Sequence, residues 1–489
     1  MRFFLYVSVL LMILPLVFMR PFFGLCVYYV VSLLQPKFLC WRGDFQDAVL
    51  VGVPLVVGAI AIGVRRLQVT PKVDQATGKV RSVIERLARN PIFEPTWQIA
   101  LFVLLILYIA ITRLLVPYPL EHTSFQFRNL CKVLLVTALL TGLVCDARRF
   151  RILFCVIALS AAFWAIKGGL KVVLIGPHQV YGRTYDNNFF ALVSVMALPL
   201  VFYFGLTVRH ARWRTLFLVM SALICLGIIG SHSRAGFVAF GAVLVCMAWS
   251  SRYRLRAMFA ICLMAGLAIA TSWQDIADRM DSIIRYREDR SATARFYTWD
   301  VAEKLFMQSP LIGVGFNNFE IAKARIFGGT KAAHNIYLQN LSELGALGHP
   351  LWLAIILGTM LGLFGFMRRA RRLPEDMRWA YYCSRGLLLA LMAFCIHGTF
   401  HNEEYLELMF ALVGLSIALR VVTRREIQHR RWYALAGVST PGKMERPRTA
   451  SPRIRATPHP GELFDRPRSL GALLRRNRLG SVSPESPMI

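Results

Sequence analysis

Thirteen apolar runs, each near the length needed to cross a bilayer, decide what this chain can fold into. They fall near 3–19, 22–39, 48–64, 97–116, 130–146, 151–169, 188–207, 215–231, 235–250, 256–272, 350–367, 384–400 and 405–422. Runs of about 17–25 apolar residues read as transmembrane helices. Lipid-exposed backbone can satisfy its polar groups only in a helix or a closed barrel. Barrel strands would alternate over segments of about ten residues, and no such segments occur. An all-α polytopic membrane protein with 12 or 13 transmembrane helices and one large helical outer loop is expected. Only 17% of the 489 residues are charged, against ~25% in soluble domains.

The formal charge of +30, from 57 basic and 27 acidic residues, invites a nucleic-acid reading. Its distribution argues against one. The basic residues cluster between apolar runs: Arg65–Arg66 with Lys72 to Arg89, Arg148–Arg151, Arg209–Arg214, Arg252–Arg256, Arg368–Arg372, and the tail from Arg420. That is the positive-inside pattern of an inner-membrane protein. It puts segments 117–129, 170–187, 231–234, 273–349 and 401–404 on the periplasmic side. Three full spans before Arg65 would start the chain outside, whereas a shallow or re-entrant first hairpin would start it inside. Arg20 and Pro21 follow the first run without a small-residue cleavage site, so that run reads as a membrane helix rather than a signal peptide.

Four regions follow: N-terminal transmembrane helices (1–272), a large periplasmic loop (273–349), C-terminal transmembrane helices (350–422), and a tail (423–489). The tail is rich in Arg, Pro and Ser and reads as a disordered cytoplasmic extension, suited to anionic lipid heads. The ten cysteines show no paired spacing. Most lie in apolar runs, where Cys packs as a small hydrophobe.

The loop is charge-balanced, with nine basic and nine acidic residues. A membrane protein that keeps such a loop places chemistry at the membrane surface. Four outward positions stand out. In YGRTYDNN (181–188), Asp186 and Asn187 read as a helix cap, which leaves Arg183 unexplained. In SHSRAGF (231–237), Arg234 falls at the outer membrane boundary, where a charge is costly and often functional, although a snorkelling helix-end arginine is the bland alternative. In RSATARFYTWD (290–300), Phe296, Trp299, Ala302, Leu305 and Phe306 recur at helical spacing, predicting an amphipathic helix over 294–308. Arg295 would open it, where free N–H groups favour anions. In AHNIYLQNLSELG (333–345), Asn335 reads as the cap of a helical run ending near Gly345, with Tyr337 in its first turn. His334 precedes the cap; its pKa near neutrality suits a general base, though a lone histidine is more often structural.

Other signals are weak. Gly313-Val314-Gly315 lacks the third glycine and the βαβ setting of a dinucleotide loop. No G-x-x-x-x-G-K-[ST] occurs, and no D-x-D pair lies on the outer side, so neither ATP hydrolysis nor a metal is indicated. His397 and His401 flank a short turn with Glu403 and Glu404, a spacing compatible with a metal or with packing at helix ends. What remains is arginines and an imidazole. Planar guanidinium forks bond phosphate oxygens bidentately, so a lipid diphosphate fits that set.

At DNNFFAL (186–192), SHSRAGF (231–237), WQDIADRMDSIIRYREDRSATARFYTWDVA (273–302), PLIGVGFNNF (310–319) and AAHNIYLQNLSELGALG (332–348) the chain resembles the bacterial O-antigen ligase/polymerase family of membrane glycosyltransferases. It looks closest to the O-glycosylation ligases associated with exosortase A systems. Ala235 and Ala294 stand where the family pattern has Gly. The resemblance implies a metal-independent, lipid-dependent glycosyltransferase fold without cofactors. It implies inverting transfer of a glycan from undecaprenyl diphosphate to an acceptor hydroxyl, on a glycolipid such as lipid A core or on a protein. His334 would be the base, Arg234 and Arg295 would bind the diphosphate with Arg183 as a third partner, and Asn335, Tyr337, Asp186 and Asn187 would support them. A polymerase of lipid-linked repeats shares these motifs. A lipid-linked glycan transporter should concentrate charge inside the bundle, and the mid-span positions are mostly apolar. A cysteine transpeptidase needs an outward Cys beside His and Arg, and only Cys40 is near an outer loop.

Overall fold

The computed structural model describes residues 2–40, 46–68, 93–176, 186–249, 255 and 290–435. Residues Met1–His429 form one compact unit; the second, Arg430–Ile489, is described only as far as residue 435. Every described regular element is helical, and no strand occurs among the described residues. The chain is an all-α polytopic membrane protein. Its α-helices are α1 (Arg2–Met19), α2 (Pro21–Tyr29), α3 (Asp47–Gln68), α4 (Trp97–Leu115), α5 (Leu120–Leu143), α6 (Ala147–Ile175), α7 (Asn187–Thr207), α8 (Ala211–Gly230), α9 (Arg234–Trp249), α10 (Arg290–Gln308), α11 (Phe319–Ile326), α12 (Ile336–Ala370), α13 (Arg378–Gly398) and α14 (Glu407–Leu435).

Seven helices among the described residues are long and apolar enough to cross a membrane: α1, α4, α6, α7, α8, α12, and Glu375–Gly398, which contains α13. The apolar helices Pro21–Leu34, Asp47–Gly63 and Arg234–Trp249 are shorter. Six of the thirteen expected runs fall outside that set of seven. The run 22–39 breaks into three pieces, α5 carries Glu121, Arg128 and Lys132 ahead of its apolar half, and α14 carries Arg420, Arg424 and Arg425. The run 256–272 lies outside the described residues. Helix α14 continues past 422 as far as Leu435.

Helix α7 is the centre of the bundle, buried over most of its length, and packs against α6, α8 and α13. Helix α1 is its opposite, with most of its apolar surface exposed. That is the profile of a helix whose outer face is left for lipid.

The first forty residues form a hairpin. After α2 the chain passes through a π turn (Val30–Leu34), a left-handed Gln35 and a 3-10 turn (Pro36–Cys40). Cys40 Sγ then lies 3.7 Å from the Arg2 carbonyl, so the chain has returned to its starting end. Helix α3 runs alongside α1 in the same direction. Tyr6 donates to Asp47 at one end (2.8 Å), and the Phe18 backbone presses on Gly58 towards the other. Three passes therefore precede Arg65, and the amino terminus and Arg65 lie at opposite ends of the bundle.

The loop is fastened into a break in α12. At Gly345 the backbone turns to φ 64°, ψ −171° inside an otherwise continuous helix. Ala346 and Leu347 donate their N–H groups to the Pro310 and Leu311 carbonyls (2.8 and 3.2 Å) rather than to their own helix. The Ser342 and Glu343 carbonyls thus freed accept from Val314 and Gly315 (both 2.9 Å). Four backbone groups that the break would orphan are satisfied by the loop, which is what makes the break tolerable. The GVG segment is thus a backbone splice, not a phosphate loop, and the helical run expected to stop near Gly345 continues beyond it. A Cβ on residue 345 would sit 2.4 Å from the Leu311 oxygen and 2.6 Å from the Gly313 nitrogen, on backbone where side chains are strained. Gly345→Ala should therefore destabilise by about 1–3 kcal/mol, read as a lowered Tm of the detergent-solubilised protein; an unchanged Tm would contradict this splice.

Candidate active site

Three elements converge where the loop meets the bundle. Helix α10 buries Thr298, Val301, Ala302 and Leu305, an i, i+3, i+4, i+7 stripe. Phe296, placed on that face by its spacing, is instead 46% exposed. The stripe seats α10 against the residue before His334: Trp299 Nε1 donates to the Ala333 carbonyl at 2.9 Å, and Thr298 Oγ1 lies 3.4 Å from it. Arg295 is one turn earlier. Since α10 is already formed at Arg290, Arg295 sits more than a turn inside the helix. It therefore does not stand beside the free N–H groups of the helix start, where the sequence had put it.

Asn335 caps α12 as expected, its side-chain oxygen accepting from the Tyr337 and Leu338 amides (2.9 and 3.2 Å). This cap turns the chain so sharply that His334 adopts φ 52°, a conformation that costs energy for a residue with a side chain. His334 is half-buried, and its Nδ1 has no hydrogen-bond partner among the described residues. Tyr337 is structural: its hydroxyl donates to the Cys395 carbonyl (2.9 Å), and Ile336 packs on Gly398. The end of α13 is thereby pinned beside His334.

Asp186 caps α7, accepting from the Asn188 and Phe189 amides (2.8 and 3.3 Å). The next two residues hold the 231–234 turn: Asn187 Nδ2 donates to the Ser231 carbonyl (3.3 Å) and Ser233 Oγ to Asn188 Oδ1 (2.6 Å). Arg234 opens α9 from this turn with an exposed side chain. It joins the group through its turn. Arg183 lies outside the described residues.

The electrostatics tie these parts together. Burial and the Arg295 guanidinium hold the His334 imidazole below its ordinary value, against the opposing pull of Asp186 and with Lys331 and Lys323 adding to the depression. Desolvation and a nearby cation both disfavour the imidazolium. Lys323 was not foreseen: it is buried and donates to the Lys331 carbonyl at 3.0 Å. His401 was read as a metal ligand or a packing residue, yet it belongs to the same cluster. Only 2% exposed, it is pushed well below the ordinary imidazole range by burial, with Asp186 opposing and His334 and Arg295 adding. Its ring stands perpendicular to that of His397, with centroids 5.6 Å apart, and neither imidazole has a hydrogen-bond partner among the described residues. No group of three or more His, Cys, Asp or Glu that could hold a metal occurs among the described residues. The H-x-x-x-H spacing was legible in the sequence, but nothing local to it pointed to Arg295, more than a hundred residues away.

Two imidazoles, a guanidinium, the buried Lys323 and the exposed Lys331 thus act on one another beside one capping carboxylate. Residues 219–353, which contain Arg234, Arg295 and His334, match the family described as O-antigen ligase. The chain carries an O-antigen ligase domain, of the glycan ligase and polymerase type; the match reaches that family and not its exosortase-associated branch. Residues 88–209, which contain Asp186 and Asn187, match a family of unknown function. No curated protein matches the chain.

Proposed function

We propose that this protein transfers a glycan from undecaprenyl diphosphate to an acceptor hydroxyl at the periplasmic face of the inner membrane. The observation that supports it most is a half-buried imidazole without a partner on Nδ1, kept neutral by burial and set beside Arg295, inside an O-antigen ligase domain. His334 takes the proton of the acceptor hydroxyl. The acceptor oxygen bonds to the anomeric carbon while the bond from that carbon to the diphosphate oxygen breaks, and the leaving electron pair stays on the diphosphate. Arg295 and Arg234, with Arg183 as a further candidate, stabilise that charge as it develops. Attack opposite the leaving group inverts the anomeric centre.

The test is transfer from a purified lipid-diphosphate glycan by the detergent-solubilised protein, with separate glycolipid, protein and lipid-linked glycan acceptors. Transfer only to the last would make it a polymerase. A base must be unprotonated, and a depressed pKa keeps it so further into acid. The acid limb of kcat/KM should therefore fall below ~6.5, the ordinary imidazole value. Lys331→Glu replaces a depressing cation with a carboxylate and should move that limb upwards. A limb at or above the ordinary value, unmoved by Lys331→Glu, would exclude His334 as the base.

A further inference from the structure

The seam between loop and bundle holds a second polar site beside the first. A cavity of about 430 Å³ lies between α5, the loop around Phe316–Glu320, and the turn that ends at Tyr405. Four carboxyl groups line it: Glu320, Glu343, Glu403 and Glu404. Two of them are almost wholly buried, at 1% for Glu343 and 3% for Glu404. Both oxygens of Glu343 are engaged, accepting from the Asn317 and Phe319 amides (2.8 and 3.4 Å). Glu404 is different. Its Oε1 accepts from Gln339 Nε2 at 3.2 Å, but its buried Oε2 has no partner among the described residues.

Buried polar groups are nearly always paired, so an orphan on a cavity wall marks a place for a ligand atom. Burial, reinforced by Glu343, holds the Glu404 carboxyl well above the ordinary carboxylate range. It is a neutral acid that can both donate and accept, as a sugar hydroxyl does. Gln126, Asn129, Asn317 and Gln339 add amides to the lining, while Phe316 and Tyr405, with ring centroids 4.9 Å apart, supply an apolar wall. Few convergent polar groups on an aromatic wall make a small-molecule site. The lining carries no arginine or lysine to hold a diphosphate, in contrast to the cationic cluster next door.

The two sites share one side chain. Gln339 accepts from the Ala333 amide through Oε1 (3.2 Å), next to His334, and donates to Glu404 through Nε2. We propose that this cavity is a glycan subsite taking one or two uncharged pyranose residues of the substrate chain, with Glu404 and Gln339 reading their hydroxyls. This rests on the glycan-transfer reading of the adjoining site and names what that site binds beside the diphosphate.

Two variants test it in the full-length protein in nanodiscs. Glu404→Leu keeps volume and removes the hydrogen bonds. Gln126→Trp fills the cavity from an exposed position, where folding is not at stake. Each should raise KM for one glycan substrate about tenfold, leaving kcat and the binding of glycan-free undecaprenyl diphosphate within about twofold. A rise in the donor KM assigns the sugar to the donor, and a rise in the acceptor KM assigns it to the acceptor. Unchanged KM values for both substrates in Gln126→Trp would overturn the proposal, as would equal loss of glycan-free lipid binding or a need for added Ca²⁺. Should the wild type transfer nothing, binding of lipid-free hexose and N-acetylhexosamine tetrasaccharides still decides. Binding lost in Gln126→Trp supports the subsite, and no binding by the wild type refutes it.

Discussion

His334→Ala should lower transfer about 10²–10⁴-fold, the contribution of a general base, while leaving the affinity for the lipid-diphosphate donor within about threefold. The reasoning is geometric. Asn335 caps α12 with its side chain and Trp299 holds the Ala333 carbonyl, so the turn keeps its shape when the imidazole is removed. The substitution also places a smaller residue at a positive φ without adding a clash. The loss should therefore fall on kcat, read in a transfer assay beside a donor-binding measurement on the same preparation. Full activity in this variant would remove His334 from the chemistry, and a parallel loss of donor binding would make it a binding residue.

Arg295→Lys should cost about 10²-fold in kcat/KM. Lysine keeps the charge but loses the planar fork that bonds two phosphate oxygens at once. Because Arg295 stands more than a turn inside α10, no backbone N–H at the helix start compensates for the missing donors. Arg295→Gln should cost more, because it also removes the cation that depresses His334. Donor binding and turnover at wild-type levels in Arg295→Lys would show that the guanidinium does not hold the diphosphate.

Most of the bundle was legible because a membrane helix announces itself by unbroken apolar length, and α4, α6, α7 and α8 do so. The break after α2 was not. The Leu34 carbonyl accepts from Trp164 Nε1 at 2.8 Å, and Ser32 bonds Glu407, far along the chain. The π turn is therefore shaped by tertiary partners that a local apolar pattern does not reveal. The same division runs through the site. The caps Asn335 and Asp186 were legible because caps are short-range chemistry. His401 and Glu404 were legible only as part of a histidine pair beside an acidic turn, and Gln339 reads locally as an ordinary polar residue in a helix. Their meaning comes from contacts bridging 65 residues, as from Gln339 to Glu404. Arg295 reads from its motif as the first residue of a helix, whereas α10 already begins at Arg290.

The splice at Gly345 has a mechanical consequence. Residues 310–315 are knitted by backbone bonds into α12, and α12 begins immediately after His334. This part of the loop and the imidazole therefore travel as one rigid body and cannot swing apart like a lid. On the opposite bank the 231–234 turn is tied to α7 through the side-chain amides of Asn187 and Asn188, and a bulky lipid-borne substrate would find its room on that side.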